Sequence, residues 1–339
     1  MTSTSMSAGS AAQQLAALLV PGRRVCLTTH VNPDGDGLGS EVALAHLLQA
    51  QGLTVSICNP SPTPERFAFL FEDLPGVDRS ARAVVELRRA DVIIVLDISE
   101  LSRLGGLAET VEQRGVPVGC IDHHVGPGKL PEGPRLIDST AAATGELIHR
   151  MAIELGWPIT VPVARALYVA LVTDTGSFRF SNTTPTTLRT AAHLLECGAN
   201  PEEVYRDVYA SGPVGRPRLL AEVLQTLVHE PGVGLTALTV PTGALERHGV
   251  EADDLDGAVE HARAIRGVRM ALLFREISAG RIKVSFRSVG SVDVAALARK
   301  FGGGGHTKAA GAAITGAMDE VQAAVLTAAR EWLGASSTP

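Results

Sequence analysis

Residues 25–52 read VCLTTHVNPDGDGLGSEVALAHLLQAQG. The apolar run at 25–29 is strand-like and SEVALAHLLQAQG has helical spacing. Between them a polar, glycine-rich turn carries His30, Asp34 and Asp36. Further along, TVSIC (54–58), VIIVL (92–96) and VPVGCI (116–121) also read as buried strands, separated by helical segments. This alternation predicts an α/β fold: an N-terminal doubly wound, mainly parallel sheet covered on both faces. In such a sheet the reactive crevice lies beyond the carboxyl ends of the strands.

Metal-seeking side chains stand where these runs stop. Asp97 follows VIIVL, and Asp122, His123 and His124 follow VGCI. The stretch VALVTDTGSF (169–178) adds Asp174 at the end of an apolar run that reads equally as helix or strand. Carboxylates and imidazoles without thiolates suit Mn²⁺, Mg²⁺, Co²⁺ or other first-row divalent ions better than a structural zinc. Asp34, Asp36, Asp97 and Asp174 supply four negative charges, enough to neutralise two such ions and leave the centre open to an anionic substrate. Two metals about 3.5 to 4 Å apart can hold a hydroxide between them and clamp a phosphoryl group for in-line displacement. Phosphoester hydrolysis is the expected reaction.

Simpler readings fail when the segments are taken together. NPDGDG alone is ordinary turn composition. An EF-hand loop starting at Asp34 needs an acidic residue where Ala45 stands. A dinucleotide fingerprint lacks its final glycine, Ser40 taking that place, and Asp34 and Asp36 would repel a pyrophosphate.

The set HVNPDGDG, VLDISELSRLG, IDHH and VTDTGSFRFSNT, followed downstream by GGGGHTKAAG, resembles the DHH phosphoesterases that carry a DHHA1 domain. Within them it is most similar to the compact NrnA-like group of bifunctional oligoribonucleases and pAp phosphatases. The resemblance spans residues 30–314. It implies one metal on His30, Asp34 and Asp97 and a second on Asp36, Asp97, His123 and Asp174, with Asp97 bridging. It further implies that His124 faces the substrate and binds phosphate or assists the leaving oxygen, while Asp122 orients a neighbour. A ligating His123 needs a carboxylate or carbonyl on its other ring nitrogen.

A second constellation lies near the other end. RIKVSFRS (281–288) reads as a strand, VDVAALARKF (292–301) as a helix and GGGGHTKAAG (302–311) as a loop leading into an apolar segment. Consecutive glycines let backbone amides approach an anion closely. The resemblance assigns substrate contacts to Gly303, Gly304, Gly305 and His306 and to Arg287 with Ser288, Lys308 being a weaker candidate. The division of labour expected from it has metals on the first domain holding the scissile phosphate and the second domain holding the rest of the nucleotide, the active site lying between the two. In GSFRFSNT, Arg179 is a candidate phosphate contact and Phe178 and Phe180 candidate base contacts, with at least one phenylalanine expected in the core.

A chain of 339 residues exceeds one usual hydrophobic core. The expected domains are 12–211 (DHH), a linker helix at 212–231 and a smaller α/β domain at 232–334 (DHHA1), closing with the amphipathic helix MDEVQAAVLTAAREWLG. No run has transmembrane length, and MTSTSMSAGS does not open like a signal peptide, so a cytoplasmic protein is expected. Cys26, Cys58, Cys120 and Cys197 form no CxxC pair and read as free thiols. The net charge of −6 and the lack of a basic stripe disfavour long duplex DNA or long RNA. Short oligonucleotides, dinucleotides and nucleotide bisphosphates remain, with a homodimer suggested by the resemblance alone.

The leading expectation is a Mn²⁺-dependent phosphodiesterase that degrades short oligonucleotides, including pApA, to mononucleotides and converts pAp to AMP. Next stands an enzyme devoted to cyclic dinucleotides such as c-di-AMP, and outside enzymes a nucleotide-sensing binding protein. An inorganic pyrophosphatase shares the N-terminal metal logic but not the glycine-histidine motif. A RecJ-like long-strand exonuclease is expected to carry additional modules.

Overall fold

The computed structural model describes residues 10–124, 128–255 and 257–335. The chain forms two compact units, Met1–Ser211 and Gly212–Pro339.

The first unit holds five strands: β1 (Arg24–Thr28), β2 (Thr54–Ile57), β3 (Val92–Leu96), β4 (Val118–Asp122) and β5 (Arg135–Ile137). They form one sheet in the order β2-β1-β3-β4-β5, every pairing parallel. The order reverses at β1, so the crevice expected of a doubly wound sheet opens between β1 and β3. Alternate residues feed two cores. Val25, Leu27, Val92, Ile94 and Leu96 belong to one, with apolar residues of the helices α2 (Gly35–Ala50), α5 (Thr144–Leu155) and α6 (Val161–Asp174). Cys26, Ile93 and Val95 belong to the other, with Leu87 and Val111 from α3 (Ala83–Arg89) and α4 (Ala108–Gln113). Burial on both faces is why these strands read as unbroken apolar runs. Helices α1 (Ala11–Ala16), α7 (Pro185–Glu196) and α8 (Pro201–Tyr209) complete the unit.

Helices α2 and α6 approach each other closely at two glycines. A Cβ on Gly39 would stand 2.5 Å from the Ala166 carbonyl oxygen, and one on Gly35 would meet the Thr173 side chain at 2.4 Å. These missing side chains bring the first turn of α2, which carries Asp36, up to the last turn of α6, which ends on Asp174. The ambiguous run 169–178 is therefore helix as far as Asp174.

The second unit begins with α9 (Gly215–Leu224), β6 (Val228–Glu230), β7 (Leu235–Thr239), α10 (Ala244–His248) and α11 (Ala258–Arg263). It continues through β8 (Met270–Ser278), β9 (Arg281–Ser288), α12 (Val294–Arg299), β10 (Gly304–His306), β11 (Ala309–Thr315) and α13 (Met318–Ala335). The six-stranded sheet has the order β10-β11-β9-β8-β7-β6, antiparallel except at β7–β8. Helices α12 and α13 cover one face and α9, α10 and α11 the other.

Two expectations need amendment here. Residues 212–231 give α9, whose Leu219 and Val223 are buried in this unit's core, followed by the edge strand β6, so the segment is integral to the second unit. The run GGGGHTKAAG is not a loop throughout: Gly302 and Gly303 close α12, and from Gly304 it forms a hairpin of β10 and β11 in which Gly304 pairs with Gly311.

Candidate metal centre

The six sequence-predicted ligands of the first unit arrive at the crevice from five elements, α2 bringing both Asp34 and Asp36. His30 lies two residues beyond β1, and Asp97 directly follows β3. His123 and His124 follow β4, whose last residue is Asp122. Asp34 is the N-cap of α2: its Oδ1 accepts from the amides of Asp36 and Gly37 at 3.0 and 3.1 Å. That leaves Oδ2 to face His30 Nε2 at 3.7 Å.

The side chains converge as three candidate sets, His30–Asp34–Asp97, Asp36–His123–Asp174 and Asp97–His123–His124, the last sharing a residue with each of the first two. Asp97 divides its oxygens between the first two, Oδ2 lying 3.6 Å from His30 Nε2 and Oδ1 3.6 Å from His123 Nε2. His123 Nε2 also stands 3.6 Å from Asp36 Oδ2 and from Asp174 Oδ2. These gaps are too long for hydrogen bonds. They are close to the about 3 to 3.5 Å between two atoms that each sit about 2.1 Å from one ion.

The imidazoles are set up accordingly. The Nδ1–H of His30 donates to the Val31 carbonyl at 2.9 Å and that of His123 to the Ala141 carbonyl at 3.3 Å, which directs each Nε2 lone pair into the crevice. His124 differs, because its Nδ1 is held by Asp122 Oδ1 at 2.7 Å. Burial alone would lower the His124 pKa, but that hydrogen bond and the charges of Asp97, Asp122 and Asp174 raise it to about 9. A ring in its protonated form suits an anion.

Gathering these carboxylates shifts their ionisation. Asp36 is 1% exposed, and burial, then the charges of Asp97, Asp174 and Asp34, push its pKa well above the usual carboxylate range. Asp174 is raised to about 7, chiefly by burial. Asp97 goes the other way: burial opposes ionisation, but the close approach of His30 and then the charges of His124 and His123 hold its pKa low. Four carboxylates whose ion-pair partners in the crevice are imidazoles fit one or two divalent ions.

Several supporting residues carry no signal in the sequence. The segment 141–145 runs beneath the centre: Thr144 N and Gly145 N donate to the two oxygens of Asp36 at 2.7 and 3.0 Å, and Thr144 Oγ1 donates to Asp97 Oδ1 at 3.0 Å. These amides open α5, whose N-cap Ala143 offers no side-chain acceptor. Asp36 takes that place, and the helix terminus in return favours its charge. Asn182 Nδ2 donates to Ala142 O and Asp174 O at 3.0 and 3.1 Å, tying the strand of chain after α6 to the same segment. Amides and hydroxyls of this kind become legible only once the fold places them.

Downstream of Asp174, Phe178 packs against Tyr168 in the core, whereas Arg179 and Phe180 are exposed, Arg179 Nε donating to Gly176 O at 2.6 Å. In the second unit Arg287 is half-buried, with Nε donating to Glu260 Oε1 at 3.1 Å. Ala309 pairs with both Arg287 and His306, which places the backbone of His306 on the same cross-strand row as Arg287, two strands away. The His306 side chain lies outside the described residues. The Ser288 hydroxyl is buried and donates to Val292 O at 2.7 Å. Gly302 and Gly303 donate their amides to Arg299 O and Ala298 O, closing α12, so these two are spent within the unit. Lys308 Nζ likewise bonds the Gly290 carbonyl.

A five-stranded parallel sheet with an Asp/His crevice, joined to a mixed-sheet unit with a glycine hairpin, defines a two-domain phosphoesterase architecture. The DHH family N-terminal domain matches residues 24–171 and the DHHA1 domain residues 232–335. The chain belongs to the DHH phosphoesterase family, in its DHH–DHHA1 branch. Among its relatives, the bifunctional oligoribonuclease and PAP phosphatase NrnA of Thermus thermophilus is 35% identical, over 91% of this chain and 90% of that protein. The Bacillus subtilis protein of the same name is 30% identical, over 86% and 89%. In structure, an exopolyphosphatase-related protein from Bacteroides fragilis superposes with a TM-score of 0.90 at 25% identity, covering 96% of this chain and 97% of that one. Exonuclease RecJ bound to manganese shares the fold, with a TM-score of 0.51 at 17% identity over 97% and 95% of the chains. No helix among the described residues is long and apolar enough to cross a membrane.

Proposed function

We propose that this protein is a Mn²⁺-dependent phosphoesterase that hydrolyses short oligonucleotides to mononucleotides and pAp to AMP and phosphate. The observation that carries the reading is the division of Asp97 between two ligand sets, Oδ2 toward His30 and Oδ1 toward His123. A carboxylate so placed is suited to bridge a pair of ions. The names of the Thermus thermophilus and Bacillus subtilis relatives support the substrate class.

His30, Asp34 and Asp97 would hold one ion and Asp36, Asp97, His123 and Asp174 the other. Bound divalent ions polarise a phosphoryl group and make a water acidic enough to attack it at neutral pH. The remaining steps belong to the chain. Asp122 fixes the His124 ring, and the imidazolium offers its proton to a phosphate oxygen or to the leaving oxygen. Arg287, His306 and the amides of Gly304 and Gly305 would bind the remainder of the nucleotide, with Arg179 as a further phosphate contact. A substrate of a few phosphates suits a chain with a net charge of −6.

A product assay with pAp, pApA, c-di-AMP and a short RNA series, with and without Mn²⁺, tests the reading. Metal-dependent release of AMP from pAp and pApA is expected. Turnover confined to c-di-AMP would replace it with a cyclic-dinucleotide phosphodiesterase. Binding without turnover of any of the four would replace it with a nucleotide sensor.

A further inference from the structure

The amide of Thr29 lies one residue beyond the end of β1 and one before His30. The last rung on the β2 side is Cys58 N donating to Leu27 O at 2.9 Å. The Thr29 amide instead donates to a side chain, Asn59 Oδ1, at 2.9 Å. Asn59 is in turn held from two sides. Its Nδ2 donates to Glu41 Oε2 at 2.8 Å, and its backbone amide to Ser80 Oγ at 3.0 Å. Glu41 is 0% exposed and Asn59 1%, so no water competes for these bonds.

We infer that Glu41 and Asn59 are positioning residues that act through the Thr29 amide to hold His30 at the metal centre. The chain of contacts is continuous: α2 carries Glu41, Glu41 orients the Asn59 amide, and Asn59 anchors the backbone that delivers the His30 ring. Because α2 also carries Asp36, and is capped by Asp34, one helix sets the positions of three ligands on two separate paths. Glu41 Oε1 has no hydrogen-bond partner among the described residues. An ionised carboxylate with one amide donor and no cation is costly in such surroundings. Burial accordingly pushes the Glu41 carboxyl well above its ordinary range. Its useful property is therefore the acceptor oxygen, which an amide side chain also offers.

The inference rests on His30 being a metal ligand, and a double-mutant cycle separates the two claims. Mn²⁺ binding to the full chain is followed by titration calorimetry without substrate, for the wild type, His30→Ala, Asn59→Ala and the pair. If His30→Ala leaves Mn²⁺ binding unchanged, the ligand assignment itself fails. If it removes one ion, Asn59→Ala should weaken that same ion about 10- to 100-fold, as for partners that orient ligands, and should add nothing in the His30→Ala background. Unchanged affinity in Asn59→Ala, or a loss that adds in full to that of His30→Ala, overturns the inference and leaves a structural role only. Glu41→Gln should bind as the wild type and Glu41→Leu as Asn59→Ala. Should Asn59→Ala not fold by circular dichroism, the cycle is run with Glu41→Leu, and Mn²⁺ loss in Glu41→Gln equal to that in Glu41→Leu also counts against it.

Discussion

Asp97 sits in the left-handed region with φ +57°, directly after the buried strand β3. A non-glycine residue there stores roughly 1–2 kcal/mol of backbone strain, although Asp and Asn tolerate it better than most. The strain is compensated by what the turn achieves, which is to aim two carboxylate oxygens at two histidines. Asp97→Asn keeps the shape and the tolerance for that backbone, and loses the charge. It should fold, yet bind both ions at least about 100-fold more weakly, whereas Asp174→Asn should impair only the ion shared by Asp36 and His123. Equilibrium dialysis with Mn²⁺ checks this, and an Asp97→Asn chain that keeps either ion at full affinity refutes the bridging role. His124→Ala gives the complementary result. Both ions should stay while kcat falls on the order of 10²- to 10⁴-fold, and loss of metal instead would make His124 a ligand.

At the scale of elements, the strands were legible because β1, β3 and β4 are buried on both faces and leave continuous apolar runs. The candidate ligands His30, Asp97 and His123 were legible because each stands just past such a run. The same burial hid α6: Val163, Leu167, Val169, Leu171 and Val172 are buried around its whole circumference, so no period of 3.6 survives to distinguish helix from strand. Thr144, Asn182 and Asn59 were invisible for another reason, since a hydroxyl or amide gains its role from neighbours distant in the chain. The glycines of NPDGDGLGS show both sides. Their turn-like composition was plain, but the need for Gly39 appears only where α2 meets the Ala166 carbonyl. Gly39→Val must push two buried helices apart and should cost about 1–3 kcal/mol. It should also separate Asp36 from Asp174. Urea denaturation and Mn²⁺ affinity should therefore both worsen. A variant with normal metal binding would uncouple the helix contact from the centre.

For the whole molecule, the acidic crevice makes stability depend on pH and metal together. The folded-state pKa values of Asp36 and Asp174 lie above their ordinary 3.8, the latter at about 7, and His124 lies above 6.5 at about 9. A group raised on folding contributes fully below its unfolded pKa, and that contribution fades as pH climbs through the folded value. The depressed pKa of Asp97 acts in the opposite sense, but only below 3.8. The metal-free protein should therefore lose stability between about pH 4 and 7 as Asp174 is forced to ionise beside Asp97, Asp36 acting in the same direction. Mn²⁺ reverses the sign, because ionised carboxylates are what the ions bind and protons leave as metal enters. Thermal melts in EDTA should fall in Tm across that window, and the rise in Tm on adding Mn²⁺ should be larger at about pH 7 than at about pH 4. A metal-free Tm that increases across the same window, with a Mn²⁺ effect independent of pH, would mean that the four carboxylates are not gathered around shared cations.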